Sequence, residues 1–121
     1  MTLPYKSIVF GLLVTQISCI SADKKTLLSA SICDTSSVKY STTVVPIMNT
    51  YCIGCHNIAS PSAGINLEGY SNVKTYVDNG QLWGTMNHSS GYSPMPKGAS
   101  KIDACKLSQL LAWINLGAPN N

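Results

Sequence analysis

The sequence predicts a small all-α domain built from short helices, and three observations support this prediction. Two segments, residues 41–51 and 100–117, carry apolar side chains at helical spacing. Loops that contain glycine and proline separate the helical segments. No stretch alternates apolar and polar residues as a half-buried strand does, and no βαβ pattern is present. The 121 residues leave room for one such domain and not for a second.

Residues 1–22 are predicted to be an export signal. Lys6 provides a positive charge, residues 8–14 form an apolar core that is too short to span a bilayer, and small residues follow. Cleavage after Ala22 would release a soluble periplasmic protein. Cleavage before Cys19 would instead leave that cysteine as the lipid attachment site of a lipoprotein in the inner or outer membrane.

These two cleavage sites remain alternatives at the sequence level. Gln16 fits a lipoprotein signal poorly, whereas Cys19 has no other predicted role. Both sites place the protein outside the cytoplasm, where disulfides persist. Residues 23–37 are polar and lack a helical period, which predicts a tether, and residues 38–121 are predicted to form the folded domain.

The first helix is predicted over residues 41–51. This segment has a capping residue near its start and Pro46 near its first turn, where proline is tolerated. A loop follows at residues 60–69, and a second short helix is predicted over residues 70–77. Asn79 and Gly80 end that helix, and residues 81–86 are expected to add another turn.

The last helix is predicted after an extended loop at residues 91–98. Ser100 and Asp103 have the spacing of a capping box, and Gly117 and Pro119 mark the end of the helix. The residues placed on or beside its apolar side are Leu107, Leu110, Leu111, Trp113 and Ile114.

Charge is sparse and spread along the chain. Only 11% of residues are charged, the net charge is +3, and the lysines form no basic run. This distribution argues against a nucleic-acid partner.

The strongest chemical signal is Cys52-Ile53-Gly54-Cys55-His56 at the end of the first helix. Two cysteines at this spacing can each form a thioether to one haem, and the adjacent histidine then becomes the proximal ligand of the iron. The alternatives are a redox dithiol of thioredoxin type, half of a zinc site and a plain disulfide. The dithiol lacks its βαβ context, and the zinc site lacks further ligands at short spacing. The motif therefore predicts one covalent haem c.

The second axial ligand is predicted to be Met95. This residue stands between Pro94 and Pro96, which restrict the backbone so that the thioether can point inward. His88 is the alternative distal ligand and would give a bis-histidine iron. Met86 and Met48 are further candidates, although methionines on helices more often fill core space.

Cys33 and Cys105 are predicted to form a disulfide, because two leftover thiols in one small exported domain tend to pair. The alternative is a buried free thiol at Cys105 and a disordered one at Cys33.

Several motifs together resemble class I cytochromes c over residues 40–121. The resemblance is closest to small exported or lipid-anchored cytochrome domains of Bacteroidota-type bacteria. It is carried in order by Val45-Pro46-Ile47, the Cys52–His56 motif, Gly64-Ile65-Asn66-Leu67, Pro94-Met95-Pro96, Leu110-Leu111-Ala112-Trp113-Ile114 and Gly117-Ala118-Pro119.

The resemblance implies that the first and last helices cross, with Trp113 in or near their contact. It implies that His56 and Met95 ligate the iron, that Leu67 lies against the haem, and that Pro61 or a neighbour offers a carbonyl to the second nitrogen of His56. Two features depart from the general pattern: the Cys33 and Cys105 pair, and a final helix that lacks a second aromatic residue.

The predicted function is one-electron transfer rather than enzymatic catalysis, because protein ligands on both faces of the iron leave no open site. Redox partner proteins would meet an exposed haem edge, and the chain would act as a monomer or as a domain of a larger complex. Two alternatives remain open: a haem c domain with a labile distal ligand for gas sensing or peroxide chemistry, and a redox or metal-binding module without haem.

Overall fold

The computed structural model describes residues 33–121, and these form a helical domain. Its elements are a π-helical turn (Tyr40–Val44) that continues into α1 (Val45–Tyr51), a 3₁₀ turn (Ser62–Gly64), α2 (Tyr70–Asp78), α3 (Gln81–Met86) and α4 (Ala104–Asn115). No strand occurs within residues 33–121, so the all-α prediction is confirmed for this part of the chain. The export segment, Cys19 and residues 23–32 of the predicted tether lie outside the described residues.

The first helical segment begins at Tyr40, one residue before the predicted start. The residue preceding it is Lys39 in an extended conformation, and no side chain caps the amides of the π-helical turn or of α1. The predicted capping residue is therefore wrong. Thr43 accepts a hydrogen bond from the Lys39 amide at 3.3 Å, but Lys39 precedes the helical segment, so this bond does not cap an amide of its first turn. Pro46 lies in the first turn of α1, as expected.

The two middle helices begin and end close to their predicted boundaries. α2 extends to Asp78, one residue beyond the prediction, and residues 81–86 form a complete short helix, α3. Gly80 connects them in the left-handed region at φ 75°, a conformation that costs glycine little because it has no β-carbon.

α4 is capped by Asp103 rather than by Ser100. The Asp103 carboxylate accepts hydrogen bonds from the amides of Cys105 at 2.9 Å and Lys106 at 3.2 Å. The predicted capping box is wrong, because the helix begins at Ala104 and Ser100 is too far from its free amides.

The first and last helical segments are in contact around two buried aromatic residues. Trp113 of α4 is fully buried, and its ring centroid lies 5.7 Å from that of Tyr40. The Trp113 Nε1–H donates to the Pro119 carbonyl at 2.9 Å. The chain terminus closes this cluster, since Asn121 accepts from the backbone amides of Tyr40 and Ser41.

The sulfur atoms of Cys33 and Cys105 lie at disulfide distance, 2.05 Å apart, which is the predicted pairing. The bond ties the start of the described domain to the first turn of α4 across a sequence separation of 72 residues. A cross-link of this kind restricts the unfolded chain.

Removing this bond should destabilise the domain by about 2 to 4 kcal/mol, because the unfolded chain regains the freedom of a long loop. The test compares the melting of the oxidised parent, the reduced parent and the Cys33→Ala/Cys105→Ala variant. Reduction should lower the melting temperature of the parent and leave that of the variant unchanged. Equal melting of the oxidised and reduced parent would contradict the pairing.

Candidate functional site

One cavity brings together residues that the sequence singles out from separate segments. It has a volume of about 510 Å³, which lies within the range of ligand-binding cavities. Cys52, Cys55 and His56 line it, together with Leu67 and Met95. Its wall also carries two tyrosine rings and further apolar side chains, which suit a large apolar cofactor; the apolar ones are Ala63, Ile65, Leu82, Met86 and Pro96.

The motif that contains the two cysteines is held as a tight turn at the end of α1. The Cys52 amide donates to the Met48 carbonyl at 2.9 Å, which continues the helical hydrogen bonding by one residue. The amides of Cys55 and His56 both donate to the Cys52 carbonyl, at 3.1 and 2.9 Å. This folding places both thiols and the imidazole on the wall of the same cavity. Neither cysteine forms a disulfide.

The two thiols differ in environment. Cys55 is exposed, whereas Cys52 is buried, and burial raises the pKa of the Cys52 thiol to about 11. A raised pKa keeps the Cys52 thiol protonated, so Cys52 itself is not an activated thiolate. Within residues 33–121, no group of three or more His, Cys, Asp or Glu side chains is placed to hold a metal ion.

The His56 imidazole is buried and is not engaged by a protein hydrogen bond at Nδ1. The expected bond from this ring to the carbonyl of Pro61 or a neighbour is absent from the described domain. The Pro61 carbonyl instead accepts from the Gly64 amide at 3.0 Å, within the 3₁₀ turn. The backbone of His56 is well held, since its carbonyl accepts from the Leu67 amide at 2.9 Å. That bond also fixes Leu67 beside the motif.

Among the candidates for the distal ligand, Met95 and Met86 line the cavity. Met48 does not; it is a buried core residue that lines a separate, smaller cavity of about 310 Å³. His88 is not among the lining residues of either cavity. Its Nε2 lies 2.9 Å from the carbonyl oxygen of Met95, so its ring contacts the Met95 loop itself. The structure therefore places Met95 and Met86, but not His88, at the cavity.

Several polar lining residues were not predicted from the sequence. Gln81, Thr85, Ser93 and Lys97 all contribute to the wall, and Lys97 Nζ donates to Ser93 Oγ at 3.2 Å. A haem carries two carboxylates, and a lysine with neutral hydrogen-bond donors suits such groups. Lys97 follows Met95 by two residues, which is the one sequence signal that could have indicated it.

The loop that carries Met95 packs tightly on α3 at Gly84. A β-carbon added to Gly84 would lie 2.5 Å from the Tyr92 ring, so this position accepts only glycine while Tyr92 stays in place. The Met95 amide also donates to the Thr85 carbonyl of α3 at 3.0 Å. The position of the loop thus depends on a close contact with α3.

Gly84→Ala should destabilise the domain by about 1 to 3 kcal/mol, because the methyl group overpacks the Tyr92 ring. In a Tyr92→Ala background the same substitution should instead stabilise by up to about 1 kcal/mol, because alanine favours a helix over glycine. Urea unfolding of the parent, the two single variants and the double variant measures the effect of Gly84→Ala on the free energy of unfolding in each background. If Gly84→Ala has the same sign of effect in both backgrounds, Tyr92 is not the residue that requires glycine here.

Comparisons with known proteins do not assign a family. No family model matches the chain, no curated protein matches it, and no solved structure matches it. In the part of the chain from residue 33 onward, none of the helices is long and apolar enough to cross a membrane.

Proposed function

We propose that this chain is a monohaem cytochrome c that transfers single electrons. The observation that carries the proposal is the convergence of Cys52, Cys55, His56 and Met95 on one apolar cavity of about 510 Å³. The cavity thus brings a sequence motif of the haem-attachment type together with a possible second iron ligand from a distant loop. These residues fit the group that the motif implies.

Each of these residues has a distinct role. Cys52 and Cys55 would hold the porphyrin through two thioethers, and His56 would bind the iron through its imidazole. Met95 would supply the second axial ligand, and Leu67 would pack against the porphyrin. When bound, haem supplies a reversible one-electron couple between ferrous and ferric iron. The Met95 sulfur would stabilise ferrous iron more than a second histidine would, which would raise the potential.

Axial coordination by two protein side chains favours electron transfer over catalysis. His56 and Met95 together would leave no coordination position for oxygen or peroxide. Electrons would then pass through the porphyrin edge to a partner protein. Cys55 is exposed, so an edge bonded to it would be accessible from solvent. Redox partners of this kind meet through small, transient interfaces.

The proposed location is outside the cytoplasm, either as a periplasmic protein or as a lipoprotein attached through Cys19. The Cys33 and Cys105 sulfur atoms at disulfide distance support this location, because structural disulfides persist in oxidising compartments.

Absorbance spectra of protein matured in a host that attaches haem c test the proposal directly. We expect a pyridine haemochrome of the c type, full reversibility between ferric and ferrous states, and the weak far-red ferric absorbance of an iron–thioether bond. Slow and incomplete binding of carbon monoxide to the ferrous protein should accompany these spectra. Rapid stoichiometric carbon monoxide binding would favour gas sensing or peroxide chemistry, and absence of the haemochrome would contradict the proposal.

A further inference from the structure

Both backbone polar groups of Met95 are bound by residues at the end of α3. The Met95 amide donates to the Thr85 carbonyl at 3.0 Å. The Met95 carbonyl lies 2.9 Å from His88 Nε2, and because a carbonyl only accepts, Nε2 carries the hydrogen of this bond. Met95 is thus held on both sides of its α-carbon by one short segment, Thr85 and His88.

His88 occupies this position in an unfavourable backbone conformation. Its φ is 53°, in the left-handed region where a β-carbon is disfavoured. The His88 amide donates to the Thr85 carbonyl at 3.2 Å, so the same oxygen accepts from His88 and from Met95. Backbone strain of this kind persists where surrounding contacts require it, and functional positions are frequent among such sites. The contact that the strained residue makes here is the bond to Met95.

The His88 ring is separate from the cavity that Met95 lines. His88 is half-buried and is not among the lining residues, so its imidazole reaches the backbone of the Met95 loop and not the proposed iron position. Glycine at position 88 would adopt the positive φ without strain but would lose the imidazole. The turn itself therefore does not require the imidazole, whose hydrogen bond is to the Met95 carbonyl.

We propose that His88 is a positioning residue that acts through Met95. By donating to the Met95 carbonyl, it limits the motion of the loop and keeps the thioether directed into the cavity. This inference rests on the proposed function, in which Met95 ligates haem iron. Removal of the His88 side chain should leave haem attachment intact, because Cys52, Cys55 and His56 lie in a different segment. It should weaken the bond between Met95 and ferric iron.

The test is a competition between Met95 and added imidazole for the ferric iron. Loss of the far-red absorbance reports how much imidazole has replaced Met95. In His88→Gly we expect imidazole to bind about fivefold more tightly than in the parent, the equilibrium effect of losing one neutral hydrogen bond. His88→Asn, which tolerates a positive φ but has a shorter side chain, should behave similarly and provides a second variant if the first folds poorly. His88→Gln, with an amide donor of greater reach, should restore part of the affinity difference.

Melting separates positioning from a purely structural role. His88→Gly relieves the positive φ but loses one hydrogen bond, and these effects oppose each other, so its melting temperature should stay close to that of the parent while imidazole binds more tightly. Ala118→Gly is the matched control, since Ala118 also has a positive φ of 51° and has no bond to Met95. Its imidazole affinity should equal that of the parent.

Unchanged imidazole affinity in both His88→Gly and His88→Asn would overturn the inference while leaving the proposed function in place. A parent protein that carries no haem, or shows no ferric far-red absorbance, would overturn the proposed function and this inference with it.

Discussion

Met95→Ala should abolish the far-red absorbance of the ferric protein and allow the ferrous protein to bind carbon monoxide rapidly and stoichiometrically. Met95 lines the cavity that contains the cysteine and histidine motif, and its backbone is fixed by Thr85 and His88. In the proposed cytochrome, alanine would remove the sulfur that completes the protein's hold on the iron. The reduction potential should fall, because the thioether stabilises ferrous over ferric iron.

Met86→Leu is the matched control for this experiment. Met86 is buried and lines the same cavity from the end of α3, so it is the other thioether on that wall. Leucine conserves its volume and should preserve the far-red absorbance and the slow reaction with carbon monoxide. If the absorbance survives Met95→Ala and disappears in Met86→Leu, the ligand is Met86.

Trp113→Ala should destabilise the domain by about 3 to 5 kcal/mol, a large fraction of the stability of a small protein. The Trp113 side chain is fully buried, packs beside Tyr40 and donates to the Pro119 carbonyl. Alanine leaves a cavity between the first and last helical segments and removes the hydrogen bond to the chain terminus. Urea unfolding of haem-loaded protein measures the effect.

Leu116→Ala provides the comparison at the end of the same helix. Leu116 is 65% exposed, so its truncation should change the free energy of unfolding by less than about 0.5 kcal/mol. The destabilisation caused by Trp113→Phe should lie between those of Trp113→Ala and Leu116→Ala, since phenylalanine keeps an aromatic ring and loses the Nε1–H donor. Similar effects of Trp113→Ala and Leu116→Ala would show that the contact between the helical segments contributes little.

Much of the helical architecture could be predicted from local sequence. The apolar spacing and the positions of proline and glycine place the first helical segment and the two middle helices within one residue of their observed bounds, whereas the last helix is shorter than predicted at both ends. The disulfide pairing followed from the small number of cysteines. The helices depend on short-range patterns, and the disulfide pairing depended on the number of cysteines. Both can be seen directly in the sequence.

The errors concern groups whose role depends on distance in three dimensions. Asp103 caps α4 because it immediately precedes the first helical residue, whereas the spacing of Ser100 only imitates a capping box. His56 Nδ1 has no protein hydrogen-bond partner, and the Pro61 carbonyl accepts from the Gly64 amide within the 3₁₀ turn. The contact of His88 with the Met95 backbone also depends on a positive φ that no sequence pattern indicates.

Sequence motifs singled out some of the residues that line the cavity and missed others. The motif at residues 52–56 and the proline-flanked Met95 carry recognisable chemistry, and the structure brings them to one cavity. Lys97, Ser93 and Thr85 have ordinary side chains in ordinary contexts. Only the folding of the Met95 loop onto α3 places them at that wall.

Mass spectrometry of the exported, processed protein tests the central claim most directly. We expect the intact mass to exceed that of the polypeptide by one haem, with the addition confined to the peptide that contains Cys52 and Cys55 and absent from a Cys52→Ser/Cys55→Ser variant. A parent mass equal to that of the polypeptide alone, from a host that matures other c-type cytochromes, would contradict the account.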